Sequence, residues 1–131
     1  MSNLDTLIKQ IIKFNKARGW IPSQVDFAKS VVIEAAELLE KYQWDESDRG
    51  IKGIEPKNFE EISEEVADVF WYLVSFCKAA NINLAKAVKD KMIKNEKKYP
   101  AKMFKGKHDD KFYKSQKRKY RAKRKKSSGK I

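Results

Sequence analysis

The 131-residue sequence is poor in the residues that form cross-links, metal sites and sharp turns: it has one cysteine, one histidine, three prolines and five glycines. A single cysteine excludes a disulfide within the chain and favours a reducing compartment. Cys77 lies in an apolar helical run, so we expect it to fill the core. Zinc is disfavoured, because Cys77 and His108 are far apart in the sequence.

Long apolar runs are also absent from the sequence. No stretch approaches the roughly 18 residues that a membrane-spanning helix needs. The first residues lack the basic stretch and the long apolar core of a signal peptide. The length suits one folded domain. We therefore expect a soluble, cytoplasmic protein that does not enter a membrane.

Acidic residues are scarce only at the carboxyl-terminal end. The chain has 30 Lys and Arg against 18 Asp and Glu, a net charge of +12, yet residues 1–100 hold 16 of each sign. The remaining residues therefore supply the whole net charge. We expect a helical domain over residues 1–107 and a basic, low-complexity tail over residues 108–131, too highly charged to pack and therefore disordered.

Helical periodicity is what the sequence does contain. Apolar spacing with start and stop signals predicts four helices, near residues 3–16, 23–43, 58–80 and 84–98. Ser2 is the predicted cap of the first helix. Ser23 with Asp26, and Asn58 with Glu61, are predicted capping boxes of the next two. No strand-like alternation occurs, so the predicted fold class is all-α.

Two pairs of carboxylates, each spaced three residues apart, interrupt the apolar runs of the second and third helices. They are Glu34 with Glu37, and Glu65 with Asp68. At about 100° per residue, Glu34 and Glu65 fall within the apolar stripes of their helices. Buried unpaired carboxylates are costly, so these acids either pair with Lys or Arg across the helices or together hold a metal ion.

The chemistry of four carboxylates restricts which metal such a site would take. Hard oxygen ligands select Mg²⁺, Mn²⁺ or Ca²⁺. The competing helical metal site, a di-iron carboxylate bundle, needs Glu-x-x-His pairs. The only histidine, His108, lies in the basic tail, which excludes that site.

These motifs resemble those of the MazG-like, all-α nucleoside triphosphate pyrophosphohydrolases. The resemblance rests on E-x-x-E-x-x-E from Glu34, then Tyr42-Gln43-Trp44, a polar loop, E-x-x-D from Glu65, and K-x-x-x-N-x-x-x-Y-P from Lys91. It covers about residues 1–107 and is closest to small single-domain members, some of which act on dCTP and related deoxynucleotides. It implies a four-helix MazG-like bundle that forms a homodimer or homotetramer.

The resemblance also implies an enzyme that cleaves a (d)NTP to a (d)NMP and pyrophosphate, with Mg²⁺ or Mn²⁺ as cofactor, in nucleotide-pool control. Its metal-binding and catalytic residues would be Glu34, Glu37, Glu65 and Asp68. Its substrate-binding residues would be Lys91, Asn95, Tyr72, Trp44, Lys29 and Arg18, of which the two aromatics flank the base or sugar and the last two contact phosphate.

A second hypothesis belongs to a different class of function. The helical body would be a non-catalytic scaffold, and the basic tail would bind nucleic acid without sequence preference. Because all four carboxylates are in place, the sequence favours the enzyme over the scaffold.

Overall fold

The computed structural model describes residues 3–43, 58–104 and 109–129. All the regular elements in these ranges are helices: α1 (Leu4–Ala17), α2 (Gln24–Glu40), α3 (Phe59–Ala79), α4 (Leu84–Lys98), α5 (Ala101–Phe104) and α6 (Asp110–Ser128). The all-α prediction is confirmed, and the four predicted helices correspond to α1 to α4. No helix of this described part is long and apolar enough to span a membrane.

The helix starts agree only in part with the predicted caps. Ser23 caps α2 as predicted, because its Oγ accepts the Asp26 amide at 3.2 Å and donates to the Asp26 carboxylate at 2.9 Å. Helix α1 is capped by Asn3, whose side chain accepts the Asp5 amide, and Ser2 lies outside the described residues. The predicted capping box of α3 is wrong, since Asn58 has helical backbone angles and makes no capping hydrogen bond with its side chain.

Two helices end in left-handed residues that reverse the chain tightly. Gly19, at φ +65°, follows α1, and the Trp20 amide bonds back to the Asn15 carbonyl at 3.0 Å. Asn81, at φ 55°, follows α3, and the Ile82 amide bonds to the Cys77 carbonyl at 2.8 Å. Both are Schellman-type ends, where glycine and asparagine tolerate the left-handed conformation.

The chain divides into two compact units, residues 1–84 and 85–131. In the first unit, α3 packs against both α1 and α2. Its apolar core comprises Ile11, Phe27, Ile62, Val74 and Cys77. Cys77 fills this core as predicted, and burial raises the pKa of its thiol, so the unreactive protonated form is favoured.

A buried polar network joins α1 to α3. The Asn15 amide donates to Ser75 Oγ at 2.8 Å, and Trp71 Nε1 donates to Asn15 Oδ1 at 2.9 Å. Ser75 Oγ in turn donates to the Trp71 carbonyl at 2.8 Å. Phe14 packs edge-on against Trp71, with ring centroids 5.0 Å apart. Because each buried polar group is satisfied, the network fixes one register between the two helices.

The second unit contains α5, α6 and nearly all of α4. Tyr99 stacks on Tyr113 with ring centroids 5.1 Å apart, and Phe104 meets Phe112 edge-on at 4.9 Å. The Gln116 amide donates to the Lys98 carbonyl at 3.2 Å. These contacts hold the first half of α6 against the end of α4 and against α5.

The structure differs from the prediction of a disordered basic tail, because residues 110–128 form α6. Asp109 caps the helix by accepting the Phe112 amide at 2.6 Å. Its aromatic and amide side chains recur at helical spacing and give it a packing face despite the charge. The predicted domain division between residues 107 and 108 stays a prediction.

Loss of the buried network should cost measurable stability. Asn15→Ala leaves the Trp71 indole N–H without its acceptor, so we expect the free energy of unfolding to fall by about 1–3 kcal/mol in urea denaturation. Gln10→Ala, which removes an exposed amide from the same helix, is the control and should change it by less than about 0.5 kcal/mol. Equal effects of the two substitutions would contradict a stabilising role for the network.

Candidate metal centre

The contact between α2 and α3 brings three of the four predicted carboxylates together. Glu34 and Glu37 lie one helical turn apart on α2, and Glu65 extends from the facing part of α3. One carboxylate oxygen from each lies within 4.8 Å of the other two. Asp68, the fourth predicted acid, is not part of this trio, but it is near enough for its charge to act on Glu34.

The clustering has a clear electrostatic signature on Glu34. Partial burial removes water from this carboxylate and raises its pKa above the ordinary 4.5. A hydrogen bond with Glu37, followed by the negative charges of Glu37, Asp68 and Glu65, raises the pKa further. Without a counter-ion, Glu34 therefore keeps its proton to a higher pH than an isolated glutamate does.

The two carboxylate oxygens of Glu65 differ in their surroundings. Its Oε1 lies 3.6 Å from the Lys41 ammonium group, which also contacts Glu61 Oε2 at 3.4 Å. Within the described part of the chain, its other oxygen, Oε2, is buried and has no hydrogen-bond partner. A buried carboxylate oxygen without a partner is costly, so this atom is available to a ligand that the protein itself does not supply.

These residues fit a hard divalent cation. Three converging carboxylates offer the oxygen ligands that Mg²⁺ and Mn²⁺ prefer, and the partnerless Glu65 oxygen supplies an unused lone pair. A divalent cation would also remove the repulsion that raises the pKa of Glu34. The alternative of cross-helix pairing with a base applies to Glu65, which Lys41 approaches at 3.6 Å.

Sequence reasoning missed Lys41 as a member of this site. It caps the carboxyl-terminal end of α2 and contacts α3 through Glu61 and Glu65. The signal was present, because Lys41 follows Glu37 by four residues and Glu34 by seven, and these spacings share one helical face. Lys41 is the cation through which the acidic cluster is partly neutralised.

The predicted substrate-binding residues are spread over both units. Tyr72 is half-buried on α3, and Lys29 is exposed on α2. The Arg18 guanidinium lies 3.3 Å from the centre of the Phe14 ring, where it packs on the end of α1. Lys91 and Asn95 are exposed on α4, in the second unit. Trp44 lies outside the described residues. These substrate roles stay predictions.

Comparison with known proteins shows which family the chain belongs to. Residues 29–115, which include both E-x-x-E and E-x-x-D, match the MazG-like family. The chain belongs to the MazG-like family. A solved pyrophosphatase structure from Archaeoglobus fulgidus is 38% identical to this MazG-like chain, with a TM-score of 0.59. The match covers 76% of this chain and 94% of that one.

Two mammalian relatives of this MazG-like chain are named dCTP pyrophosphatase 1. The protein of Rattus norvegicus is 33% identical over 78 residues, which are 59% of this chain and 46% of the relative. The protein of Homo sapiens is 36% identical over 73 residues, which are 55% of this chain and 43% of the relative. The chain thus matches less than half the length of these relatives.

Divalent cations should stabilise the wild-type protein through this cluster. We expect Mg²⁺ to raise the melting temperature of the wild type, because binding to the folded state alone stabilises it. Glu34→Gln should melt higher than the wild type in EDTA, because one repelling charge is gone, and should gain little from Mg²⁺. Glu64→Gln, an exposed acid on α3, is the control and should keep the Mg²⁺ response. An undiminished Mg²⁺ shift in Glu34→Gln would contradict the site.

The raised pKa of Glu34 also predicts a pH dependence. The folded state holds this proton more tightly than the unfolded chain, so folding binds protons in the window above pH 4.5. In EDTA, the contribution of Glu34 to stability should therefore fall as the pH rises through this window. The difference in unfolding free energy between Glu34→Gln and the wild type should grow with pH, as measured by urea titrations at several pH values. A difference that does not change with pH would refute this coupling.

Proposed function

We propose that this MazG-like protein is a Mg²⁺-dependent nucleotide pyrophosphohydrolase that cleaves a (d)NTP to a (d)NMP and pyrophosphate. The observation that carries the proposal is the convergence of Glu34, Glu37 and Glu65, together with the buried Glu65 Oε2, which has no hydrogen-bond partner among the described residues. A site built only for stability would not gather like charges and leave one of their oxygens without a partner.

The names of the relatives supply the substrate class of the proposal. Two of them are called dCTP pyrophosphatase 1, and the structural relative is called a pyrophosphatase. We therefore expect deoxynucleoside triphosphates as substrates, with dCTP as the first to test. Such an enzyme would lower the concentration of excess or non-standard nucleotides in the cytoplasm.

The reaction adds water across the anhydride between the α- and β-phosphates. When bound, Mg²⁺ neutralises phosphate charge and lowers the pKa of water at the site. Glu34, Glu37 and Glu65, with Asp68 beside them, would hold the metal, and one carboxylate of the set would orient the water and accept its proton. Lys41 screens the Glu65 carboxylate and limits the repulsion that the cluster exerts on a triphosphate.

The remaining site residues have proposed roles on the nucleotide. Lys91 would contact phosphate oxygens, and Asn95, one turn further along α4, would donate to a phosphate or the sugar. Tyr72 and Trp44 would flank the base or sugar, where stacking on an aromatic ring contributes about 1–3 kcal/mol per base. Lys29 and Arg18 would contact phosphate.

We also propose that the chain forms a homo-oligomer, a dimer or a tetramer. Val25, Val32 and Leu39 recur every seven residues along α2, on the side opposite Glu34, and their exposed fractions are 61%, 68% and 70%. A continuous apolar seam of this kind is typical of a helix that packs against another helix. A second copy of the chain would cover it and leave the acidic face free for substrate.

The scaffold hypothesis leaves the cluster unexplained. A non-catalytic body would have no need for a buried, partnerless Glu65 oxygen, and a neutral residue there would lessen the repulsion acting on Glu34. Hydrolysis by the folded body is therefore the better proposal, whatever the basic helix α6 binds.

Hydrolysis is tested directly with a panel of canonical and modified NTPs and dNTPs in Mg²⁺. We expect monophosphate and pyrophosphate in equal amounts, and no turnover in EDTA. Glu37→Gln and Glu65→Gln should each lower kcat/KM by at least about 100-fold, the scale for loss of a positioned catalytic group. Glu64→Gln should retain activity within about threefold of the wild type. Absence of turnover by a folded, Mg²⁺-stabilised protein would contradict the proposal.

A further inference from the structure

A basic groove of about 580 Å³ runs along the second unit, between the end of α4 and the second half of α6. Five of the residues that line it are cations, and none of its described lining residues is acidic. These cations are Lys97, Lys98, Lys119, Lys123 and Arg124. Gln116, Tyr120 and Ser127 add polar groups and one aromatic ring to the floor.

Repulsion among its positive side chains destabilises helix α6. Its like-charged side chains recur four residues apart, as in Lys119 with Lys123 and Lys114 with Arg118. Like charges at this spacing lie on the same face of a helix and destabilise it. The Asp109 cap and the aromatic contacts of the first half hold the helix together against this repulsion. A polyanion seated along the helix would relieve it.

The distribution of apolar residues along α6 favours nucleic acid over a membrane surface as its binding partner. A helix that lies in a membrane interface needs a broad apolar face on one side. In α6, Phe112 and Tyr113 pack against Phe104 and Tyr99. Beyond Tyr120 the only apolar residue of the helix is Ala122. This half offers cations and hydroxyls, which match a phosphate backbone and not acyl chains.

We propose that this groove binds the phosphate backbone of nucleic acid without base selection. The lysines and the arginine would contact successive phosphates, and Ser127 and Gln116 offer hydrogen-bonding groups beside them. The five cations predict that binding weakens strongly as the salt concentration rises. Each contact with a duplex phosphate should make the slope of log K against log salt more negative by about 0.9, and each contact with a single-strand phosphate by about 0.7. The groove shares no residue with the carboxylate cluster, so we expect hydrolysis to survive loss of the groove charges.

The test compares two triple variants of the full-length protein that remove the same charge. The groove variant removes the three positive charges that α6 contributes to the groove, through Lys119→Gln, Lys123→Gln and Arg124→Gln. The matched control is Lys114→Gln, Arg118→Gln and Lys125→Gln, on the opposite face of the helix at 100° per residue. Circular dichroism checks that both variants keep the helicity of the wild type.

Binding is measured by fluorescence anisotropy with a labelled single-stranded oligonucleotide, its duplex, and a methylphosphonate analogue whose backbone is uncharged. We expect the wild type to bind at least one of the two charged forms but not the analogue, and which form it prefers identifies the source of the phosphates. At about 0.1 M salt the groove variant should bind at least about tenfold more weakly than the control variant, and its salt slope should be smaller by about 2–3.

Three outcomes would overturn the proposal. The first is equal weakening in both variants, which would assign binding to net charge and not to the groove. The second is no binding of either charged form by the wild type. The third is groove-dependent binding of anionic phospholipid vesicles with no groove-dependent binding of oligonucleotide, which would assign the surface to membranes. In all cases nucleotide hydrolysis by the groove variant should equal that of the wild type.

Discussion

Repulsion among carboxylates at the contact of α2 and α3 is the constraint on which the account of this protein depends. The packing that builds the hydrophobic core also brings Glu34, Glu37 and Glu65 together. Lys41 neutralises part of this charge, and its ion pairs with described residues are those to Glu65 and Glu61. Burial and the remaining negative charge raise the pKa of Glu34, and Glu65 Oε2 has no hydrogen-bond partner in the described part of the chain. A bound divalent cation would resolve both, and we propose that metal binding is coupled to stability in this way.

The apolar and polar packing elsewhere in the first unit compensates for this repulsion. Asn15, Ser75 and Trp71 close a hydrogen-bonded network between α1 and α3, with every buried partner satisfied. Val74 is almost fully buried beside it. Because α3 contacts both α1 and α2, this network also supports the position from which Glu65 faces α2, and metal ligands must hold their positions to within about 0.5 Å. The hydrogen-bonded contact between α1 and α3 thus offsets the repulsion at the contact between α2 and α3.

The helices and the acids could be predicted from the sequence because both rest on local spacing. Glu34 and Glu65 lie within apolar stripes, and any pairing of α2 with α3 through those stripes must bring them close. Lys41 was missed because its role depends on the crossing of the two helices, which spacing along one helix does not give. The order of α6 was missed because net charge outweighed the spacing of Phe112, Gln116 and Tyr120. The predicted capping of α3 by Asn58 is wrong because the backbone of Asn58 already has helical angles.

The central claim is that the carboxylates of α2 and α3 hold a divalent cation through the unpartnered oxygen of Glu65. Crystals grown with Mn²⁺ and a non-hydrolysable dCTP analogue test this most directly, because Mn²⁺ gives an anomalous signal. We expect an anomalous peak among Glu34, Glu37 and Glu65, within roughly 2.0–2.4 Å of Glu65 Oε2. A Glu65 carboxylate bonded only to Lys41, with no peak among the acids at saturating Mn²⁺, would contradict it.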